Sequence, residues 1–179
     1  MDREYSAFDL ARYILKKKCI DEGYVIANLQ LQNVLYRIQE RFLKEKGHKA
    51  FSDQLVACSC GALVPEIYTE YGVYGADVIV WIPNGNDIIS IDDKDKVLID
   101  GIVEEERKLT LWQSMDKVWR EGGLWREVYD KGKGEGKEIT VEMIKEYLRK
   151  QQKPTEQKPT VNKDCVRFVL QKIKELFSV

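Results

Sequence analysis

Apolar residues recur at helical spacing in two segments near the start of the chain. After Ser6, apolar positions fall three and four residues apart, and the Ser6 hydroxyl is placed to cap the first turn. Asn28 is placed to cap a second, longer helix, which Gly47 ends. The pattern therefore predicts two amphipathic helices before residue 50. The apolar stripe of the second helix comprises Leu31, Val34, Leu35, Ile38 and Phe42.

Further helices are predicted between residues 65 and 150. Pro65 suits the first turn of a short helix, and Asp92 or Asp93 begins the next one. Another helix is predicted from about Thr110 to Glu121, and Thr140 is placed to cap a further one that ends near residue 150.

The period of the pattern changes in DVIVWIPNGNDIISI, residues 77–91. Two β-branched runs flank a segment of Pro, Asn and Gly there, which predicts a β-hairpin. Two strands alone are marginally stable, so the hairpin must pack against helices. The predicted fold class is mainly α: a single helical domain over residues 1–150 with a small β-hairpin.

A polar, proline-containing stretch follows and predicts a linker over residues 151–162. Residues 163–179 then form an amphipathic C-terminal helix. An isolated helix of this length is marginally stable in water, so we expect it to dock on its own domain, on a second copy of the chain as a homodimer, or on a partner. The predicted contact residues in this helix are Phe168, Ile173 and Phe177.

Composition narrows the class of protein. The 179 residues are 44% hydrophobic and 33% charged with a net charge of −1, which is typical of a globular protein and lacks the basic excess of a dedicated nucleic-acid binder. No secretory signal and no apolar run of about 18 residues is present, which predicts a cytoplasmic protein with reduced cysteines and no contact with a membrane.

The cysteines are the first candidates for chemistry. Cys58 and Cys60 lie one residue apart, but the other two cysteines are scattered and His48 is the single histidine. A zinc site requires about four well-spaced ligands, and a cysteine nucleophile requires a neighbouring base. We therefore interpret the thiols as small apolar residues, with a Cys60–His48 dyad as the alternative. The sequence predicts no enzyme and no catalytic, cofactor-binding or metal-binding residue.

Two charged runs invite functional interpretations. The segment from residue 92 to residue 106 holds seven carboxylates and two lysines. Its first residues, DDKDK, could suggest a calcium site, but they lack the calcium-loop pattern. We therefore interpret them as a solvated helix start. The second helix ends in a basic run, which is interpreted as a solvated helix end, with nucleic-acid binding as the alternative. The basic residues are Arg41, Lys44, Lys46 and Lys49.

Three segments resemble one known family. FDLARYILKK, ANLQLQNVLYRIQERFLKEKG and CGALVPEIYTEYGVYG together resemble the Panacea domain, the SocA-like, phage-associated family. In that family a helix similar to T-N-L-K-L-Q-K-L-L-Y-Y-A-Q precedes Y-G-P-V-V-P-E-V-Y. The matching positions are Asn28, Leu29, Leu31, Gln32, Leu35, Tyr36, Gln39, Gly61, Val64, Pro65, Glu66 and Tyr68.

A later segment, LTLWQSMDKVWREGGLW, resembles the family's L-S-A-W-E-L-S-E-L-T-H-x-x-x-x-P-W. Val118 and Trp119 stand where the family has Thr-His, and Leu124 replaces its Pro. EITVEMIKEYL resembles the family's closing helix, so the resemblance covers about residues 5–149. The positions in register in the later segment are Leu109, Trp112 and Trp125.

The resemblance implies an antitoxin that neutralises a cognate toxin by protein–protein contact, in a phage or another mobile element. A DNA-binding regulator and an adaptor that delivers a partner for proteolysis are the alternatives. Within the domain, the predicted partner-binding residues are Gln32, Tyr36, Pro65, Tyr68, Trp112, Trp119 and Trp125.

Overall fold

Helices dominate the computed structural model, which describes residues 3–80, 90–120 and 122–151, with the backbone only for Leu111 and Trp112. The predicted mainly α fold with a small β-hairpin is confirmed, whereas the predicted linker and C-terminal helix lie outside the described residues. The helices are α1 (Ala7–Tyr13), α2 (Asn28–Glu45), α3 (Pro65–Glu70), α4 (Asp93–Arg107), α5 (Leu111–Trp119), α6 (Leu124–Tyr129) and α7 (Val141–Gln151). The strands are β1 (Val56–Cys58), β2 (Gly61–Leu63) and β3 (Lys137–Glu138).

Helix α2 lies at the centre of the fold. It packs against α1, α3, α4, α5, α7 and β2, and its predicted apolar stripe is completely buried. Burial of this stripe is the main hydrophobic contribution that α2 makes to stability, because each large aliphatic side chain removed from water contributes about 1.5–3 kcal/mol. The charged positions of α2 are thereby directed away from the core, whereas its polar residues Gln32 and Gln39 are buried and hydrogen-bonded.

The helix starts follow the predicted capping residues except at α2. The Ser6 hydroxyl accepts a hydrogen bond from the Asp9 N–H at 3.0 Å, as predicted for α1. Asn28 was predicted to cap α2, but it is the first helical residue and Ala27 occupies the capping position. The Asn28 side-chain amide instead donates to the Tyr68 carbonyl of α3 at 2.9 Å. The prediction of Asn28 as the cap of α2 is therefore wrong.

A π-helical segment, Ile14–Asp21, follows α1 and occupies the second half of the first predicted helix, where a regular α-helix was expected. It buries Lys18, whose amine lies 3.1 Å from a Glu22 oxygen and 3.6 Å from oxygens of Asp100 and Glu104. Three nearby carboxylates satisfy the buried charge, so this segment is attached to α4 through an ionic contact.

The sheet lies in the cysteine stretch, where no strand was predicted. Strand β1 pairs antiparallel with both β2 and β3, and Cys58 opposes Gly61 across a turn of Ser59 and Cys60. Gly61 has φ +131°, a conformation that other residues rarely adopt. The turn of the hairpin predicted at residues 77–91 lies outside the described residues, and Val78 forms an isolated bridge with Ala27.

Candidate functional site

A cavity of about 290 Å³ opens between α2, α5 and α7. Tyr36 and Tyr147 contribute to its wall, together with five cationic side chains and one carboxyl group. This excess of cationic groups distinguishes the cavity, and we name it the basic cavity. Its charged lining residues are Arg37, Glu40, Arg41, Lys44, Lys117 and Arg120.

One face of α2 supplies most of these groups. Residues three and four positions apart lie on the same side of a helix, so Arg37, Arg41 and Lys44 are brought together, with Tyr36 and Glu40 beside them. The buried apolar stripe of α2 orients this polar face toward α5 and α7. Local helix geometry therefore builds one wall of the basic cavity.

Glu40 and Tyr36 form a hydrogen-bonded pair in that wall. Burial raises the pKa of Tyr36 well above its usual range, so the phenol is neutral and donates to the carboxyl group. Burial also raises the pKa of Glu40, and the Tyr36 hydrogen bond and the charges of Arg120, Arg37 and Lys44 oppose that rise only in part. Glu40 is thus a desolvated carboxyl group among cations.

The opposite wall holds Arg120 in a defined position. Arg120 follows the last residue of α5, and its guanidinium donates to the Tyr147 hydroxyl of α7 at 2.7 Å. The Gln151 amide also donates to that hydroxyl. A neutral phenol leaves the charge of Arg120 unbalanced, so the guanidinium keeps its preference for an anion.

The cations of the basic cavity differ in how completely they are paired. Arg37 and Arg41 form ion pairs with carboxylates of α4, and Lys117 lies 3.7 Å from Glu106. Among the residues that the structure describes, no carboxylate lies within 4.0 Å of the charged nitrogens of Lys44 or Arg120. These two cations, one from α2 and one after α5, act on Glu40 only at longer range and form no direct ion pair among the described residues.

Four of the predicted partner-binding residues lie in the protein interior, and one of them, Tyr36, is 4% exposed in the wall of the basic cavity. Gln32 is 2% exposed, and its carbonyl oxygen accepts from the Val64 N–H at 2.9 Å, which fixes the entry to α3. Trp119 and Trp125 are 5% and 2% exposed, and the Trp125 indole N–H donates to the Cys58 carbonyl at 2.9 Å. Such side chains expose little surface area to a partner. The described contacts give them a role in the protein interior, and their partner binding stays a prediction.

The predicted residues are spread over the fold. Tyr36 lines the basic cavity, Pro65 is the first residue of α3, and Tyr68 is 39% exposed. The structure therefore does not bring the six predicted residues whose side chains it describes into one site. The side chain of Trp112 and the whole of Phe168, Ile173 and Phe177 lie outside the described residues.

The two neighbouring cysteines are half-buried thiols at the β1–β2 turn. Burial raises the pKa of Cys58 to about 11 and that of Cys60 to about 12. Both are therefore protonated near neutral pH and are weak nucleophiles. His48 packs its ring edge-on against Phe42 and contacts the Lys49 carbonyl. No group of three or more potential metal ligands occurs in the part of the chain that was described.

More residues of the two charged runs form ion pairs within the protein than the sequence analysis predicts. Asp95 was interpreted as part of a solvated helix start, but it is 6% exposed and accepts hydrogen bonds from Tyr5 and Lys46. That interpretation is wrong for Asp95, because the third position of α4 faces the protein. Three cations of the basic run also have carboxylate partners. Arg41 pairs with Glu45 and Glu105. Lys46 pairs with Asp95, and Lys49 pairs with Glu4.

Several residues of the basic cavity were not predicted. Arg37 and Glu40 could have been found, because with Tyr36, Arg41 and Lys44 they form a polar helical face opposite a clear apolar stripe. Local spacing could not have found Lys117, Arg120 and Tyr147, because α5 and α7 reach α2 only through tertiary packing.

No helix in the described ranges is both long and apolar enough to cross a membrane. Comparison of the chain with protein-family models, with curated proteins and with solved structures finds no match.

Proposed function

We propose that this chain is an antitoxin-like protein of the cytoplasm, associated with a phage or another mobile element, that binds and neutralises a cognate toxin by protein–protein contact. The resemblance of residues 5–149 to the Panacea domain suggests this class. The observation in the structure that supports it best is an exposed apolar surface beside α3.

This surface, which we name the α3 surface, combines apolar side chains from two neighbouring segments. Val73 is 85% exposed, Val78 43% and Val80 63%, and Val25 on the facing segment is 64% exposed. The Ala27–Val78 bridge joins the segments, and the Ile79 N–H donates to the Ile26 carbonyl at 2.9 Å.

Exposed apolar side chains that cluster in this way are typical of protein interaction sites. The predicted residue Tyr68 is 39% exposed on α3, and its carbonyl accepts from Asn28 directly after the bridged segment. A toxin that covers the α3 surface would gain affinity from apolar burial.

The thiol chemistry also favours a binding role. Cys58 and Cys60 are held as protonated thiols, and His48 is engaged with Phe42 and Lys49 at the end of α2. These contacts supply no activated nucleophile. The basic run of α2 gives little support to the DNA-binding alternative, because three of its four cations have carboxylate partners.

Co-expression with the product of the adjacent gene tests the proposal. We expect the neighbour alone to stop growth, and this chain to restore growth and to co-purify with it. Val73→Glu should weaken co-purification about tenfold or more, because a charge in an apolar contact loses its hydration. Val97→Glu is the matched control, because Val97 is 75% exposed on α4, outside the α3 surface, and should bind normally.

Two results would contradict the proposal. A harmless neighbour that does not co-purify would remove the toxin as partner. Equal binding by the Val73→Glu and Val97→Glu variants would show that the partner contacts a different surface.

A further inference from the structure

We propose that the basic cavity binds a small molecule that carries a phosphoryl group. This inference concerns a second site, separate from the α3 surface, and it does not depend on the antitoxin proposal. It rests on the placement of cations around a cavity of about 290 Å³.

The charge of the lining favours an anion. Lys44 is exposed, Arg120 donates only to a neutral phenol, and neither has a carboxylate within ion-pairing distance in the described ranges. Lys117 lies 3.7 Å from Glu106, which is longer than a hydrogen bond, so its amine keeps donors for a ligand. Three cations from two helices thus have N–H donors available at one opening.

The number and arrangement of donors favour a phosphoryl group over a carboxylate. A single arginine can satisfy both oxygens of a carboxylate with a planar pair of hydrogen bonds. A phosphoryl group offers three acceptor oxygens and nearly two negative charges, so cations from several directions can share it. Here Lys44 approaches from α2, whereas Lys117 and Arg120 approach from α5 and its end.

The size of the cavity favours a small molecule. Its volume of about 290 Å³ is close to the lower end of the range for small-molecule sites, which is about 300 Å³. The side chain of Arg120 is already oriented by Tyr147, so a bound anion would meet a donor held in position.

The carboxyl group of Glu40 provides a further test of the proposal. Among the described lining residues it is the one carboxyl group, and it would repel an anion bound between the cations. Glu40→Gln preserves the size and the acceptor for Tyr36 but removes this charge. The variant should therefore bind the anion more tightly.

Isothermal titration of the full chain at low ionic strength tests the proposal, with pyrophosphate and 5′-AMP as probes and citrate as a carboxylate comparator. We expect both phosphoryl probes to bind more tightly than citrate. Lys44→Gln should weaken binding about 5–10-fold, and Lys44→Gln/Arg120→Gln about 30-fold or more, because each loses charge-assisted hydrogen bonds. Glu40→Gln should tighten binding about threefold or more.

Lys16→Gln is the matched control, because Lys16 is exposed, does not line the basic cavity and loses the same charge. Absence of binding by either phosphoryl probe at millimolar concentration would overturn the proposal. Citrate binding as tight as theirs, or equal effects of Lys44→Gln and Lys16→Gln, would also overturn it. If the double variant fails to fold, Lys44→Gln decides the outcome, because it breaks no described ion pair.

Discussion

Helix α2 contacts two charged regions that differ in how their charges are matched. Toward α4 lie five carboxylates, and each of them is paired with a cation or a tyrosine from the first half of the chain; α2 and its end contact three of them, Asp95, Glu105 and Glu106. Toward α5 and α7 it lines the basic cavity, in which Lys44 and Arg120 have no described carboxylate partner. We name the first region the α4 face; its carboxylates are Asp95, Asp100, Glu104, Glu105 and Glu106.

The α4 face is a contact made from charges, with Asp95 and Glu106 buried and the other carboxylates partly exposed. Glu106 is 4% exposed, accepts hydrogen bonds from Arg37 and Ser114, and thereby connects α4 to α2 and α5. Asn33 extends this network by donating to the Ser114 hydroxyl at 3.1 Å. Removing one partner from such a network costs more than the pair contributes, because a buried charge is left unsatisfied.

The basic cavity has the opposite character. Its cations are open to solvent on one side, and its carboxyl group, Glu40, pairs with the neutral Tyr36. Charge that is matched inside the protein stabilises the fold, whereas unmatched charge around an opening remains available to a ligand. The comparison therefore predicts opposite effects on stability for carboxyl substitutions in the two regions.

Glu106→Gln should show the largest effect. The variant leaves the Arg37 guanidinium, which is 18% exposed, with less countercharge. We expect the free energy of unfolding to fall by about 3 kcal/mol, measured by urea denaturation with an unchanged m-value. Glu146→Gln is the control: Glu146 is 68% exposed and pairs with Lys150, so its loss should change stability by less than about 0.5 kcal/mol. Similar values for the two variants would mean that the α4 face behaves like an ordinary surface.

Asp95→Asn should have a smaller, pH-dependent effect of about 2 kcal/mol at neutral pH. Burial alone would raise the pKa of Asp95, but hydrogen bonds from Lys46 and Tyr5 lower it below its ordinary value of 3.8. A carboxyl group whose folded pKa is lowered stabilises the protein above its unfolded pKa, and this contribution is lost as the pH falls through the folded value.

The stability difference between wild type and Asp95→Asn should therefore be constant between about pH 5 and pH 7 and shrink below about pH 4. Urea denaturation at several pH values measures it. A difference that does not change with pH would assign the loss to packing and not to the charge of Asp95.

Glu40→Gln should have the smallest effect, and of opposite sign. Burial raises the folded pKa of Glu40 above its ordinary value of 4.5. The ionised group therefore costs stability, and this cost grows as the pH rises through the folded pKa. We expect the variant to gain no more than about 1 kcal/mol at pH 7 and to lose the gain below about pH 4.

Lys44→Gln is the comparison for Glu40→Gln, because Lys44 is exposed and should change stability by less than about 0.5 kcal/mol. Thermal and urea unfolding measure both variants. Destabilisation by Glu40→Gln at pH 7 would contradict this prediction. It would mean that the cations of the basic cavity stabilise ionised Glu40 more than burial destabilises it, so that the charges of the cavity are as well matched as those of the α4 face.

Features that depend on a few consecutive residues were predictable. The Ser6 cap, the Pro65 start and the apolar stripe of α2 each follow from the spacing of neighbouring side chains, and the structure confirms them. Strands β1 and β2 were missed because three residues are too few for a visible alternation. The Asn28 cap failed because a residue 40 positions away takes its amide.

For the basic cavity, the sequence alone contains the wall formed by α2, since five residues from Tyr36 to Lys44 share one side of a helix. It does not show which cations are already neutralised. Arg37 pairs with Glu106 across 69 positions and Lys46 with Asp95 across 49, and both partners belong to a run that appears in the sequence only as a surplus of acid.

Helix starts, apolar stripes and the mainly α class were thus determined by short-range spacing, because 3.6 residues per turn dictate which neighbours share a face. The distinction between the matched α4 face and the unmatched basic cavity was decided by the tertiary structure alone. Charge pairing acts over a few ångströms in space, and only the packing of α2 against α4, α5 and α7 brings those charges within that distance.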